Sequence, residues 1–215
     1  MQMEMAFGKP NQTIRFGPVD YHTAKALVER YHYSGIIPRG RNMCWGVWID
    51  DDLYAVAVYG NGVNCYQAGF LARTTGLTVT QENHVELKRL ARTEPRHPTF
   101  QLTRLIASAH RWLQSKGYNY IVSFSDPEQG HSGSIYRAAN FAHIGHTQAE
   151  WHVVDRSGKR QHRRVAYRHS RRHGCTIEQS RKKLGLKRVK TQPRDRWFLA
   201  TGRRDRKVMA SLRRR

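Results

Sequence analysis

Cysteine is scarce in this 215-residue chain: Cys44, Cys65 and Cys175 make an odd number with no CxxC pair. That argues against a disulfide framework or a zinc ribbon and points to a reducing compartment. No apolar run approaches the ~18 residues of a membrane span, and the opening MQMEMAFGKPNQ lacks the cationic-then-apolar layout of a secretory signal. A soluble, intracellular protein with no membrane partner is expected. Internal repeats and heptad runs are also missing. Acidic residues run short in one region only. Residues 156–215 hold 23 Lys+Arg against 3 Asp+Glu, an excess of 20, whereas residues 1–155 hold 15 against 13.

What is present divides along the same line. The length suits one good core plus an appendage. The nearly neutral body, residues 1–155, reads as a folded catalytic domain. The basic extension, residues 156–215, reads as a polyanion-binding segment partly docked on it through Trp197, Phe198 and Leu199. Nucleic acid is the natural partner. Cations expected to meet phosphates are Arg39, Arg41 and Arg73 in the body, and Arg171, Arg172, Arg181, Lys182, Lys183, Lys187 and Arg188 in the extension. RRDRK and the final RRR are expected to stay solvated, so removing residues after Leu199 should weaken nucleic-acid binding and flatten its salt dependence.

Chemistry concentrates in Tyr118–Phe141, YNYIVSFSDPEQGHSGSIYRAANF. Tyr120, Ile121, Val122 and Phe124 have the β-branched and aromatic character of a buried strand. Ser125 and Asp126 fall at its carboxyl end, where ligands lie in open α/β sheets. A glycine-rich loop carrying His131 follows. Ser132 or Ser134 is expected to cap the next helix, with Ile135, Ala138 and Ala139 as its buried stripe and Tyr136 as its chemical group.

The remaining elements follow from period and punctuation. Thr13–Phe16 reads as a strand, and Asp20 caps a helix carrying Ala24, Leu27, Val28 and Tyr31. That helix ends at His32-Tyr33-Ser34-Gly35 beside a loop, a site candidate. Met43–Ile49 and Leu53–Tyr59 form a hairpin. Residues 66–80 read as a loop over the sheet. HVELKRLA, from His84, is an alternating strand with Val85, Leu87 and Ala91 on one face and Glu86, Lys88 and Leu90 on the other. Leu102, Leu105, Ile106, Ala109, Trp112 and Leu113 define the strongest helix. Arg92, Arg96 and His97 precede it and suit an anionic ligand. Further strands are expected at Ala142–Gly145, Glu150–Val154 and Val165–Tyr167, with a turn over Asp155–Lys159.

This succession resembles the GNAT acyltransferase fold, an α/β class with a central mixed sheet flanked by helices. The HYSG loop, ELKRLAR and SFSDPEQGHSGSIYRAANF together resemble the Mom DNA-modification proteins of Mu-like bacteriophages, over about residues 10–170. The resemblance implies an enzyme that converts adenine in double-stranded DNA to N6-carbamoylmethyladenine, shielding phage DNA from restriction in the host cytoplasm. It is similar to GNAT enzymes except at the coenzyme A loop, since Arg92–Gln101 contains no glycine. Backbone approach to a pyrophosphate is therefore in doubt, and Arg92, Arg96 and Thr99 would bind an anionic donor through side chains.

Two chemical routes are open. In one, iron held by His32, Tyr33 and Asp126 activates a methyl carbon. In the other, a glycyl group is transferred to N6 and rearranges, the two products being isomers, with His32, Asp126 and Tyr136 as acid–base groups and Ser125 and Glu86 beside them. The acyl donor is either acetyl-coenzyme A or a glycyl donor. Reaching N6 requires base flipping, with Tyr33, Trp45, Tyr66 and Trp151 as stacking candidates. The competing readings are a conventional N-acetyltransferase of a protein or small molecule and a non-catalytic nucleic-acid-binding protein. The oligomeric state is left open, a dimer included.

Overall fold

The computed structural model describes residues 12–38, 40–61, 66–98, 100–161 and 164–214. Arg39, Cys65 and Thr99 lie outside them. The chain forms two compact units: one of residues up to Phe124 with Gly133–Gly145 and the chain from Arg196 on, the other of Ser125–Ser132 with His146–Asp195. The division drawn from charge at residue 155 therefore falls inside the second unit, and the last twenty residues return to the first.

The first unit is built on a seven-stranded sheet. Its strands are β1 (Ile14–Pro18), β2 (Asn42–Ile49), β3 (Asp52–Gly60), β4 (His84–Arg92), β5 (Tyr120–Ser125), β6 (Ala142–His146) and a late strand, Asp195–Ala200, lying between β5 and β6. The β2–β3 hairpin closes with Asp50 and Asp51 both at positive φ, the turn whose twist matches its flanking strands. Helix α1 (Tyr21–Tyr31) is capped by Asp20, whose carboxylate accepts the N–H groups of His22 and Thr23. It buries Ala24, Leu27 and Val28 against Cys44, Val56, Val58 and Ala91 on one face of the sheet. Burial pushes the Cys44 thiol up to about 11, so it packs as a small apolar group. The opposite face holds the main core, to which α2 (Tyr66–Thr75), α3 (Leu102–Ser115) and the C-terminal helix all contribute.

Several sequence expectations are corrected. Residues 66–75 are helical, with Ala68, Leu71 and Thr75 buried at helical spacing; their Gly and Thr content hid that period. The helix after β5, α4 (Ser134–Ala138), is only five residues long and buries none of them: Ala138 is exposed, and Gly133 rather than a serine occupies the N-cap. Strict alternation along β4 fails at Lys88. Val58 pairs with Arg89 and Tyr59 with Leu87, so Lys88 is an extra residue and the side-chain parity reverses beyond it. Ala91 accordingly joins the α1 face while Leu90 packs on the main core.

The second unit contains β7 (Trp151–Val154), β8 (Arg160–Gln161) and β9 (Lys187–Lys190), in the order β8-β7-β9, with α5 (Arg164–His173) and α6 (Ile177–Lys183). The expected strand at Val165–Tyr167 is the first turn of α5, where only Ala166 is buried. The Asp155–Lys159 turn is formed as expected, with Asp155 accepting from Ser157, Lys159 and Gln161. Those bonds hold its carboxyl below the usual range.

Beyond β10 (Asp195–Ala200), the cations of RRDRK are exposed, as are Arg213 and Arg214, but the segment is not a loose tail. It leads through a short 3-10 turn into α7 (Arg206–Arg214), whose Met209 and Leu212 are buried in the main core. No helix among the described residues is long and apolar enough to cross a membrane.

Candidate active site

The chemistry of the first unit gathers where β4 and β5 part. These parallel strands pair from His84↔Tyr120 to Leu87↔Ser123, while β4 stays paired with β3 as far as Arg92. Past Leu87 a wedge opens at the carboxyl end of β5. Ser123 sits at its base, where its hydroxyl donates to the Leu87 carbonyl at 2.9 Å.

Tyr136 of α4 enters this region from the other side. Its ring stacks on Trp197 at 5.9 Å and meets Phe141 edge-on at 5.5 Å, and its hydroxyl lies 3.5 Å from the Phe124 carbonyl. Gly133 makes that approach possible. It stands at φ +70°, and a Cβ there would fall 2.1 Å from Cζ2 of Trp197. Burial pushes the Tyr136 phenol above its ordinary range, its hydrogen bond with Ser123 acts in the opposite sense, and Tyr33 and Glu86 push it further up. At neutral pH it is therefore a proton donor. The bulge at Lys88 explains why Glu86 and Arg89 both act on it, since the parity reversal brings these two residues to the same face of β4.

Of the residues expected from sequence, Tyr33, Glu86 and Tyr136 are thus brought together. The His32 and Tyr33 rings lie 4.4 Å apart in a tilted arrangement. Its Nδ1 accepts the Ser34 N–H at 3.1 Å, which places the proton of the neutral ring on Nε2. That arrangement does not suit a ring ligating iron through Nε2, so the iron set His32, Tyr33, Asp126 finds no support here. Ser125 and Asp126 belong to the second unit. Ser125 is buried and donates to Asp195 at 3.0 Å, and Asp195 also pairs with His146 at 2.9 Å. Asp126 caps the 3-10 turn Pro127–Gln129, accepting the Glu128 N–H at 3.1 Å.

Sequence reading missed four groups. Ser123 and Arg89 touch or face the phenol. Tyr59 is fully buried, its hydroxyl has no partner, and burial followed by the neighbouring Tyr136 pushes it up. Lys88 is buried with Nζ 3.3 Å from Asn42 Oδ1, its pKa lowered chiefly by desolvation, and it packs so closely on Gly60 that a side chain there would collide with Nζ. A polar residue inside YIVSFS was the one available signal, for Ser123. The positions of Lys88 and Arg89 depend on the bulge.

The approach to α3 has no glycine cradle. Arg92 is engaged by Glu94 at 3.1 Å and Arg96 is exposed. The Phe100 N–H is taken by His97 Nδ1, and the His97 N–H by the Tyr54 hydroxyl. Among the stacking candidates, Trp45 is a packing residue: it stacks on Trp112 at 4.7 Å and donates to Ser108. Tyr33, Tyr66 and Trp151 are exposed. Arg41, Arg73, Arg171, Arg172, Lys182, Lys183, Lys187 and Arg188 are exposed as expected, whereas Arg181 is half-buried with its Nε unpartnered.

A family comparison matches residues 13–212 to the Mom protein family. The chain belongs to that family. A curated relative, the methylcarbamoylase Mom of Escherichia phage Mu, is 24% identical over 157 residues, which cover 69% of this chain and 60% of the phage protein. The chain thus spans about 60% of that relative's length. Solved structures similar in fold include an N-acyl amino acid synthase from uncultured soil microbes, 13% identical, covering 90% of this chain and 93% of its own, TM-score 0.50. A spermidine N-acetyltransferase from Vibrio cholerae is 8% identical, covering 87% and 94%, TM-score 0.50. The α/β fold of this Mom-family protein is therefore the GNAT-like one, and the strand order β1-β2-β3-β4-β5-β10-β6 carries an inserted segment between β6 and β10.

Proposed function

We propose that this Mom-family chain is a transferase that modifies DNA, converting the N6 amine of adenine in duplex DNA to the carbamoylmethyl form and so shielding phage DNA from restriction in the bacterial host. The observation that carries the reading is the family match over residues 13–212 together with the phage Mu methylcarbamoylase. The neutral phenol of Tyr136 supports the reading as a candidate proton donor. In transfer of a glycyl group, N6 forms a bond to the carbonyl carbon and loses a proton, and the leaving group departs protonated. Tyr136, neutral and set beside Ser123, supplies that proton, and Glu86 and Asp126 are the carboxylates assigned to the base. The N6-glycyl product then rearranges to its carbamoylmethyl isomer. Side chains at Arg92 and Arg96 serve an anionic donor, because Arg92–Gln101 has no glycine to bring backbone N–H groups to a pyrophosphate.

Nucleoside mass spectrometry of DNA from cells expressing the protein tests the reading. Carbamoylmethylated adenine, abolished in Asp126→Asn and reduced to a trace in Tyr136→Phe, is the expected result. Unmodified adenine alongside acetylated protein or amine would instead establish a conventional N-acetyltransferase.

A further inference from the structure

We infer that the segment inserted between β6 and β10 is the duplex-docking module of the protein, and that the arginine stripe of α5 is its phosphate-contacting face. This rests on the proposed function for the identity of the substrate as duplex DNA.

The stripe follows from helical geometry. Arg164, Arg168, Arg171 and Arg172 stand at steps i, i+4, i+7 and i+8 on α5, so they share one side of the helix. Ala166 is buried, and His169 reaches Ser180 of α6 at 3.1 Å, so α5 packs by a different side. All four arginines are exposed. Like charges at i, i+4 destabilise a helix, and Arg164 stands in the first turn, the least favourable end for a cation. No acidic residue occurs anywhere in Arg164–His173 to offset this. Half-buried Lys25 on α1, by contrast, has Glu29 at i+4, 3.0 Å away. Among the described residues Arg168, Arg171 and Arg172 form no ion pair with a carboxylate. A helix on which Arg168, Arg171 and Arg172 repel one another with no carboxylate between them is matched by a polyanion laid along it.

The surroundings agree. A three-residue connection, Gly174-Cys175-Thr176, joins α5 to α6, with Gly174 at φ +58° and a capping box at Thr176 and Gln179. Such a compact helix pair is a form that proteins lay against duplex DNA. Every residue of β9 is exposed, three of its four residues are Lys or Arg, and Arg188 lies over the exposed ring of Trp151 at 4.7 Å. The C-terminal cations, also expected from charge to meet nucleic acid, follow β10 and belong to the first unit rather than to this inserted segment.

The test measures binding of the full chain to a fluorescent duplex across a salt series, for wild type, Arg168→Ala/Arg171→Ala/Arg172→Ala, and Arg203→Ala/Arg204→Ala/Lys207→Ala. The second triple removes equal charge from exposed positions of the first unit. The α5 triple should lower the log–log salt slope by about 2.7, at about 0.9 per phosphate contact, with unchanged thermal stability and no change in preferred sequence. The other triple should shift the slope by less than half as much. Equal shifts, or an unaltered slope in the α5 triple, overturn the inference, as does tighter binding of a structured RNA than of the duplex. Adenine modification is scored separately in the same proteins. Modified adenine with an unaltered α5 slope removes this inference and leaves the proposed function standing; a lost slope without modified adenine in wild type does the reverse.

Discussion

Gly133→Ala separates two costs that the structure superimposes at one position. Gly133 and Gly130 have nearly the same backbone, φ +70° and +71°, but differ in surroundings: a Cβ at Gly133 would lie 2.1 Å from Trp197 Cζ2, and a Cβ at Gly130 would have nothing within 4 Å. A left-handed conformation costs an L-residue about 1–2 kcal/mol, which is the whole effect expected for Gly130→Ala. Forcing a methyl into a filled site adds about 1–3 kcal/mol, so Gly133→Ala should cost about 2–5 kcal/mol. Trp197 is 2% exposed and stacks on Tyr136, so it has little room to retreat without moving the phenol. Denaturant unfolding followed by circular dichroism gives both numbers. In a Trp197→Phe background, which deletes the colliding atoms, the cost of Gly133→Ala should shrink toward the Gly130 value, a positive coupling. Equal costs for the two glycines, or no coupling to Trp197, would refute the claim that this contact places Tyr136.

Three further outcomes are expected. Tyr136→Phe and Asp126→Asn should each keep the fold and lower adenine modification, the first leaving a trace of activity because the ring still stacks on Trp197; near-normal modified adenine by mass spectrometry in either would remove that residue from the site. His110 is buried against Phe141, and desolvation pushes its imidazole down to about 3, so the unfolded chain, titrating near ~6.5, binds the proton first and stability drains away as pH falls from about 6.5 to about 3. His110→Leu should therefore shift the acid-unfolding midpoint to lower pH; a midpoint that stays put or rises contradicts the assignment. Truncation after Leu199 removes Met209 and Leu212, 2% and 6% exposed, and at about 1.5–3 kcal/mol for each buried side chain it should destabilise the first unit by about 3–6 kcal/mol, a loss that thermal unfolding would register and that a solvated tail would not show.

How much of this was legible in the sequence depends on whether the signal was local. Strands with clear period, the Asp20 cap, the hairpin and the long α3 were all readable, because side chain and backbone within a few residues decide them. α2 was hidden because two of its three buried residues, Ala68 and Thr75, are small or polar, leaving Leu71 alone to mark the period. The bulge at Lys88 is different in kind. Nothing in HVELKRLAR distinguishes an even strand from one carrying an extra residue, since the choice is made by β3, where Tyr59 and Val58 pair with Leu87 and Arg89. Yet that single residue decides the site: in strict alternation Glu86 would share a face with Lys88 and Leu90, and Arg89 would lie opposite.

The basic end of the chain illustrates the converse limit. Charge counting located the cations without error but treated them as one segment, because a count is blind to return of the chain. Trp197, Phe198 and Leu199 are the turning point: all three are buried in β10, between β5 and β6, and everything after them is bound into the core by α7. The same excess of charge is thereby split between an inserted unit that can lay α5 along a polyanion and a helix, α7, whose apolar side is already committed. Neither helix carries a carboxylate, but α7 is anchored in the core by Met209 and Leu212, whereas α5 buries only Ala166, so a repulsive stripe such as Arg164, Arg168, Arg171 and Arg172 is tolerable there without cost to the sheet that holds Tyr136. Separation of this kind lets phosphate affinity vary while the proton donor stays fixed, which is why the α5 triple should alter binding and the Gly133→Ala change should alter stability and chemistry.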